Sequence, residues 1–400
     1  MAKLLITYEF GAGLGHLNRL LVVAKRLLDG NHLIFALPHT ALSSVVREVM
    51  GQQVEIMRGV AWSPPRDPKA RTAPTRTFAD VMQLFGYHQV QGLAAAAQQW
   101  LKILKETAPQ VIISDFAPTL RLAAAATIPM IVLGSGYTVP PARSLLPPIR
   151  PWDLSVPPDS RMHEFVLLAA VNEVCAKLRR PAVDFFSDLF QGESTFVCTL
   201  PEFDPYGKVR SDILVWPFNI PNMPDPREFS ERQGPVVFCY LPSGHPALDA
   251  LLEALGTLDC TSAIYVGGAH ARSLAEKCPA RIRVHSTPAD LRSILPETSV
   301  LIHQGGLGTT YAGLMAGVPQ ILLPMNLEQL IIARGLDQFK VAVPIRTTPP
   351  PEARVLRGYV EAALSDSARR AASLSAARDL QRRYDKHSLD RVVSACRHHL

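Results

Sequence analysis

The stretch Val300-Leu301-Ile302-His303-Gln304-Gly305-Gly306-Leu307-Gly308-Thr309-Thr310 constrains this chain more than any other. Three apolar residues suited to a buried strand run into a loop with three glycines, and the residues beyond it have helical character. A junction of that kind gathers backbone N–H groups at a helix N-terminus, which is chemistry for a phosphate. A second apolar run, Ile321 to Leu323, ends at Pro324, and Glu328-Gln329 follow at the expected carboxyl edge of the next strand. Two adjacent strand ends then frame one crevice, where open α/β sheets hold ligands. The glycines alone fit any strand–loop–helix turn equally well.

The composite is more selective. His303-Gln304-Gly305-Gly306-x-Gly308-Thr309, then Gly317-Val318-Pro319, an apolar strand, Pro324 and the Glu328-Gln329 pair together resemble the donor-binding signature of family 1 glycosyltransferases, especially bacterial enzymes that glycosylate natural products. The resemblance runs from Val300 to Val341. It implies a GT-B fold: α/β, with two Rossmann-like doubly wound parallel-sheet domains facing a cleft. The acceptor belongs to the N-terminal side and the nucleotide sugar to the C-terminal side. The resemblance places the donor pyrophosphate over the Gly305–Thr310 turn and sugar hydroxyls on Glu328 and Gln329. Aligned by its glycines, the family's phosphate-contacting histidine falls on Gln304, and His303 matches the residue before it. A glutamine amide donates a neutral hydrogen bond but carries no charge, so a weaker or rearranged grip is expected. The segment Val284-His285-Ser286-Thr287-Pro288 lacks the tryptophan that often stacks on the base, leaving uracil and thymine both open.

The N-terminus opens with an apolar strand, Leu4 to Tyr8, a loop from Glu9 to His16, and leucines at helical spacing that stop at Asp29-Gly30-Asn31. Gly11, Gly13 and Gly15 do not make a dinucleotide fingerprint, because the third glycine comes one residue early and His16 takes its place. A histidine at a helix start serves equally as a solvated or capping residue. Gly15-His16-Leu17-Asn18, however, resembles the family's Gly-His-hydrophobic-Asn-Pro segment, whose histidine is the general base toward the acceptor hydroxyl. Arg19 stands where the proline would be, a departure expected to affect only the first helical turn. Asp115 closes the apolar strand Val111-Ile112-Ile113-Ser114 and fits a helix cap. At this place it also resembles the family's partner carboxylate. The resemblance therefore implies a His16–Asp115 dyad, in which the carboxylate orients the imidazole and fixes its tautomer.

Residues 59–77 are rich in Pro, Thr and Arg and read as a long loop over the acceptor side. Phe78 to Glu106 reads as helical. Phe85 and Tyr137, with Tyr87 and Trp152, suit a lipophilic or aromatic acceptor, and Gly13 and Gly15 lie in the loop on the same side. Four prolines between Trp216 and Pro226 mark a linker at 217–233. It separates an acceptor domain, 1–216, from a nucleotide-sugar domain, 234–380, and residues 381–400 form a helix expected to pack back on the first domain. Strands alternate with helices in both halves, as in doubly wound sheets. Ser243-Gly244, after the strand Pro235 to Leu241, is a second phosphate-facing turn.

A hydrophobic content of 48% is ample for two cores. The net charge of +6 is scattered except at Arg369-Arg370 and Arg382-Arg383, read as solvated pairs, and it lacks the dense basic stripe that nucleic acid requires. The six cysteines show no metal or CxxC spacing and read as reduced thiols. With no signal-peptide pattern and no apolar run of about twenty residues, a cytoplasmic protein is expected, with peripheral membrane contact left open. No Asp-x-Asp is present, so no metal is expected, and no cofactor beyond the nucleotide sugar as co-substrate. The expected reaction is inverting transfer from a UDP- or dTDP-sugar to a hydroxyl of a small acceptor. The rivals are a nucleotide-sugar epimerase, a lipid-linked-sugar transferase and a non-catalytic GT-B binding protein.

Overall fold

The computed structural model describes residues 1–11, 14–62, 75–125, 127–218, 234–267, 271–279, 281–285 and 290–400. The chain divides into two compact units, Met1–Asn219 joined by Asp385–Leu400, and Ile220–Tyr384. The first unit begins β1 (Ala2–Tyr8), α1 (Leu14–Leu27), β2 (Asn31–Leu37), α2 (Ser43–Met50) and β3 (Glu55–Arg58). It continues with α3 (Phe78–Leu84), α4 (Val90–Thr107), β4 (Val111–Asp115), α5 (Pro118–Ala124) and β5 (Met130–Gly134), then α6 (Pro158–Lys177), β6 (Ser194–Cys198) and β7 (Ile213–Val215). Its strands form one sheet in the order β3-β2-β1-β4-β5-β6-β7, every pairing parallel.

The second unit holds β8 (Val236–Pro242), α7 (Leu248–Gly256), β9 (Thr261–Gly267), α8 (Ala271–Lys277), β10 (Ile282–His285), α9 (Leu291–Ile294) and β11 (Val300–His303). There follow α10 (Leu307–Met315), β12 (Gln320–Leu322), α11 (Leu327–Gly335), β13 (Ala342–Pro344), α12 (Ala353–Ser365) and α13 (Ser367–Arg383). Its sheet is also parallel, in the order β10-β9-β8-β11-β12-β13. Both sheets thus reverse direction beside their first strand, between β1 and β4 and between β8 and β11. Such switch points open a crevice at the strands' carboxyl ends.

Alternation along β1 explains the layers. Leu4, Ile6 and Tyr8 join Leu17, Leu20, Leu21 and Ala24 of α1 in one core, and Leu5 points to the other face with Trp100 and Leu120. In the second unit Val237, Cys239 and Leu241 pack with Leu251, Leu255, Leu356 and Val360, and Phe238 and Leu301 pack with Ala312 and Val318. Arg369, expected to be solvated, instead donates to the Ala342 carbonyl at 2.9 Å and pairs with Asp366, so it ties α13 to β13.

The helical stretch read as Phe78 to Glu106 is two helices. Thr77 and Asp80 form a capping box at the start of α3, and Gly86, at φ +74°, turns the chain before α4. Four short strands, β3, β6, β7 and β13, escaped sequence reading; three to five residues are too few for a readable period. The proline-rich linker read at 217–233 lies mostly outside the described residues.

The last helix, α14 (Ser388–His398), packs on α1 in the first unit. Val392, Val393 and Cys396 enter the core of Leu17, Leu20 and Leu21. Ser388 Oγ accepts the Trp216 N–H at 2.9 Å, and an exposed Arg26–Asp390 pair at 2.8 Å adds little. Burying each of these apolar side chains contributes roughly 1.5–3 kcal/mol. Val393→Asp is therefore expected to strip hydrogen-exchange protection from α1 and β1 while β8 and β11 keep theirs. Equal loss in both sheets would contradict the assignment of α14 to the first unit.

Candidate active site

Asp115 ends β4 opposite Tyr8 of β1, at the switch point of the first sheet. Its side chain has no exposed surface, and both oxygens are engaged by α1. Oδ1 faces His16 Nδ1 at 2.8 Å, and Oδ2 is bonded to the Arg19 guanidinium. Burial alone would push this carboxyl up; Arg19 and His16 together outweigh it and hold Asp115 below its ordinary value. An ionised Asp115 makes Nδ1 of His16 the protonated nitrogen and leaves the Nε2 lone pair free for a proton. The His16 side chain keeps 18% exposure.

The surroundings fix the ring. Tyr8 stacks on His16 with centroids 5.7 Å apart, and Phe116 lies 6.2 Å away. Gly11, at φ +108°, lies against the ring's outer edge: a Cβ there would sit 2.4 Å from Nε2 and from Cδ2. Only glycine combines that backbone angle with access to Nε2. Phe116 adopts a left-handed φ of +47°, at a cost of roughly 1–2 kcal/mol, and its carbonyl accepts the N–H groups of Glu9 at 3.3 Å and Phe10 at 3.2 Å. The loops after β1 and β4 are thereby joined.

Beside His16 lies an aromatic wall that the sequence signals only in part. Phe10 contacts Trp62, Phe85, Tyr87 and Phe116 at 4.9–6.2 Å, and Phe78 contacts Phe116, Tyr137 and Phe190 at 5.0–6.0 Å. Phe85 and Tyr137, expected here, belong to it and are half-buried. Phe10, Phe78, Phe116 and Phe190 were missed, since they are scattered in sequence and only the sheet edge brings them together. Gly15 is exposed at the start of α1, whereas Gly13 and residues 63–74 of the long loop lie outside the described residues. Glu9 is buried, accepts the Thr119 N–H at 2.9 Å, and is pushed up by burial to about 7 against that bond.

Arg19 corrects an expectation. It was read as a minor replacement for a proline, yet it is 5% exposed and shares Asp115 with His16. The missed signal was spacing, because residues three apart on a helix share a face.

In the second unit, the turn after β11 is held from behind. His303 is fully buried; its Nδ1 accepts the Gly305 N–H at 3.1 Å, so Nε2 carries the proton and donates to Gln320 Oε1 at 2.8 Å. Gln320 passes its amide N–H to the Thr310 carbonyl at 3.1 Å. Burial pushes His303 down to about 4, so it is neutral. Its side chain braces the turn, and both ring nitrogens are occupied within the protein. His245 repeats the device after β8: Nδ1 accepts the Ala247 N–H at 3.2 Å, and Nε2 donates to the Leu323 carbonyl at 2.9 Å. Both turns of this sheet edge are thus pinned to β12 and the residue after it. A glutamine in the otherwise apolar run Gln320-Ile321-Leu322-Leu323 was the available clue.

Gly306 caps α10 without any side-chain acceptor, and a Cβ at Gly306 or Gly308 would meet nothing within 4 Å. The first-turn amides of α10, near Thr309, carry the positive end of the helix dipole. Gly305, at φ +92°, lets the turn approach Gln329, whose carbonyl would be 3.2 Å from an added Cβ. Gln329 Oε1 accepts the Met325 N–H at 2.7 Å, which leaves its amide hydrogens to donate. Glu328, Gln304 and Ser243 are half-buried around this edge, and Gly244 is exposed. The segment 286–289, expected near a base, lies outside the described residues. Among the described residues, no cluster of three or more His, Cys, Asp or Glu could hold a metal ion, and no helix is long and apolar enough to cross a membrane.

A family profile described as "Erythromycin biosynthesis protein CIII-like, C-terminal domain" matches residues 249–384. The elloramycin glycosyltransferase ElmGT of Streptomyces olivaceus is 37% identical over 110 residues, 26% of this chain and 28% of that protein. The PGL/p-HBAD biosynthesis glycosyltransferase of Mycobacterium tuberculosis (strain ATCC 25177 / H37Ra) is 28% identical over 269 residues, 62% of this chain and 61% of that protein. The chain thus spans less than two thirds of either relative. The solved glycosyltransferase VinC in complex with dTDP superposes with a TM-score of 0.67 at 17% identity, covering 98% of this chain and 100% of that one, and shows that the fold is GT-B.

The two buried groups respond to acid in opposite directions. The unfolded chain protonates His303 near pH 6.5 and the folded chain only near 4, so stability falls as pH drops through that window. Glu9 is protonated up to about 7 when folded but only to 4.5 when unfolded, so its contribution is present at low pH and lost as pH rises to 7. Each is worth about 3 kcal/mol across its window. Urea unfolding at pH 4.5 and 7 is expected to show that Glu9→Gln steepens the wild-type loss on acidification and His303→Gln flattens it. The reverse ordering would refute these assignments.

Proposed function

We propose that the chain is a family 1 glycosyltransferase that transfers a sugar, with inversion, from a nucleotide diphosphate sugar to a hydroxyl of a small lipophilic or aromatic acceptor; the profile match over residues 249–384 and the two parallel-sheet units support this reading. The observation that carries this reading is the His16–Asp115 contact at the switch point of the first sheet, with Nε2 beside Gly11.

In this mechanism Asp115 holds His16 through Nδ1–H, and Nε2 takes the acceptor proton as the acceptor oxygen attacks the anomeric carbon. The bond from that carbon to the β-phosphate oxygen breaks, and the electron pair leaves with the nucleoside diphosphate. The first-turn amides of α10 and the Gly305–Thr309 backbone stabilise the growing charge, so the reading needs no metal. Glu328 and the Gln329 amide are assigned to the sugar hydroxyls, and Ser243-Gly244 to a second phosphate contact. Gln304 offers a neutral donor there. The aromatic wall of Phe10, Phe85, Phe116 and Tyr137 suits an apolar acceptor face. Capture of VinC with dTDP, and the name of the elloramycin glycosyltransferase, support a nucleotide diphosphate donor and a natural-product acceptor. A cytoplasmic location belongs to the same reading.

The test sets His16→Ala beside wild type with labelled UDP- and dTDP-sugars, a panel of phenolic and macrolide acceptors, and a chelator arm. Wild type is expected to transfer with inversion, unaffected by chelator, and the variant to be about 10²–10⁴ slower while still binding donor. Equal rates would remove His16 as base. Sugar-nucleotide turnover without acceptor would favour an epimerase, and no donor binding by either protein a non-catalytic role. Gly11→Ala, which places a methyl group on Nε2, is expected to lose transfer as fully as His16→Ala, and an active Gly11→Ala enzyme would contradict proton transfer at Nε2.

A further inference from the structure

The site in the first unit is a triad. Arg19 follows His16 by three residues on α1, so both side chains leave the helix on one face and converge on one carboxylate. Asp115 has two oxygens and divides them, Oδ1 to His16 and Oδ2 to the Arg19 guanidinium. The carboxylate cannot rotate without breaking one of the two contacts.

We propose that Arg19 is a positioning residue of the transfer step: it holds Asp115 through Oδ2 so that Oδ1 stays on His16 Nδ1, and it balances the carboxylate's charge. This inference rests on the base role assigned to His16. The charge count carries it. Asp115 and Arg19 already cancel, so protonating His16 gives the buried cluster a net positive charge. Without Arg19 the same proton would complete a neutral His–Asp pair, and His16 would hold it more readily. Among the described residues, the neighbouring groups Tyr8, Cys198, Glu9, Arg26 and Asp390 leave this count as it stands. Tyr8, stacked on His16, and Cys198, which senses both Arg19 and Asp115, are each pushed by burial up to about 12 and stay neutral. Glu9, on the loop after β1, turns to the Thr119 N–H. The Arg26–Asp390 pair is exposed on the last turn of α1.

The experiment compares wild type with Arg19→Gln, Arg19→Met and Arg19→Lys by two readouts. One is the pH dependence of the His16 ring ¹⁵N signals in the unliganded protein, which requires no transfer. The other is the acid limb of the kcat/KM profile. Both are expected to move to higher pH in Arg19→Gln and Arg19→Met, with a loss of about tenfold in kcat/KM on the acid side, one pH unit being tenfold. Arg19→Lys, which restores the charge, is expected to return both toward wild type with a few-fold loss in kcat. Unchanged ring signals in a folded Gln or Met variant would overturn the proposal, as would a lysine variant displaced as far as the neutral ones. If no donor and acceptor pair reacts, the ring signals still decide the role of Arg19, and only the transfer reading fails.

Discussion

A carboxylate without exposed surface needs opposite charge or donors against it, because burial penalises its ionised form by several kcal/mol. At Asp115 both requirements are met from one helix. His16 and Arg19 take one oxygen each, while Leu17, Leu20 and Leu21 of the same helix sit in the core between the first sheet and α14. The rotation of α1 about its axis is therefore set twice, by apolar packing and by a charged contact. A rotation that improved one would break the other. The His16–Asp115 geometry is thus tied to the packing of the whole first unit, and loop shape alone does not determine it.

The second sheet reaches rigidity without charge. His303 and His245 each accept an N–H two residues ahead and donate across to the β12 strand region, so two loops that carry few side chains of their own are held by neutral imidazoles. Neutrality matters at this edge. A protonated ring at His303 would lose the Gly305 bond and place a fixed charge behind the turn. The first-turn amides of α10 are left as the positive pole, and they need no rearrangement to meet an anion.

The chain's architecture was legible because buried parallel strands are short apolar runs and both halves repeat them. Val300–His303 and Val111–Asp115 announced themselves, and so did the residues at their ends. The short strands β7 and β13 carried no period to read. His16 and Asp115 could be paired only through resemblance, since nearly a hundred residues separate them and no local rule joins them. Arg19 is visible in the sequence only as a helix-turn position, because its partner Asp115 stands on another strand. His303 was read toward a ligand although its burial turns it inward, a distinction that depends on Gln320. The aromatic wall was least legible, because Phe10, Phe78, Phe116 and Phe190 come from separate elements that meet only at the sheet edge.

The return of α14 to the first unit changes where the chain can be cut. Residues 385–400 follow the second unit in sequence but share their core with α1. A chimera that exchanges second units with a relative at a single crossover would import a foreign α14 against this chain's Leu17, Leu20 and Leu21. Two crossovers, one near Asn219 and one at Asp385, keep that interface native. For recombination the second unit is an insertion within the first.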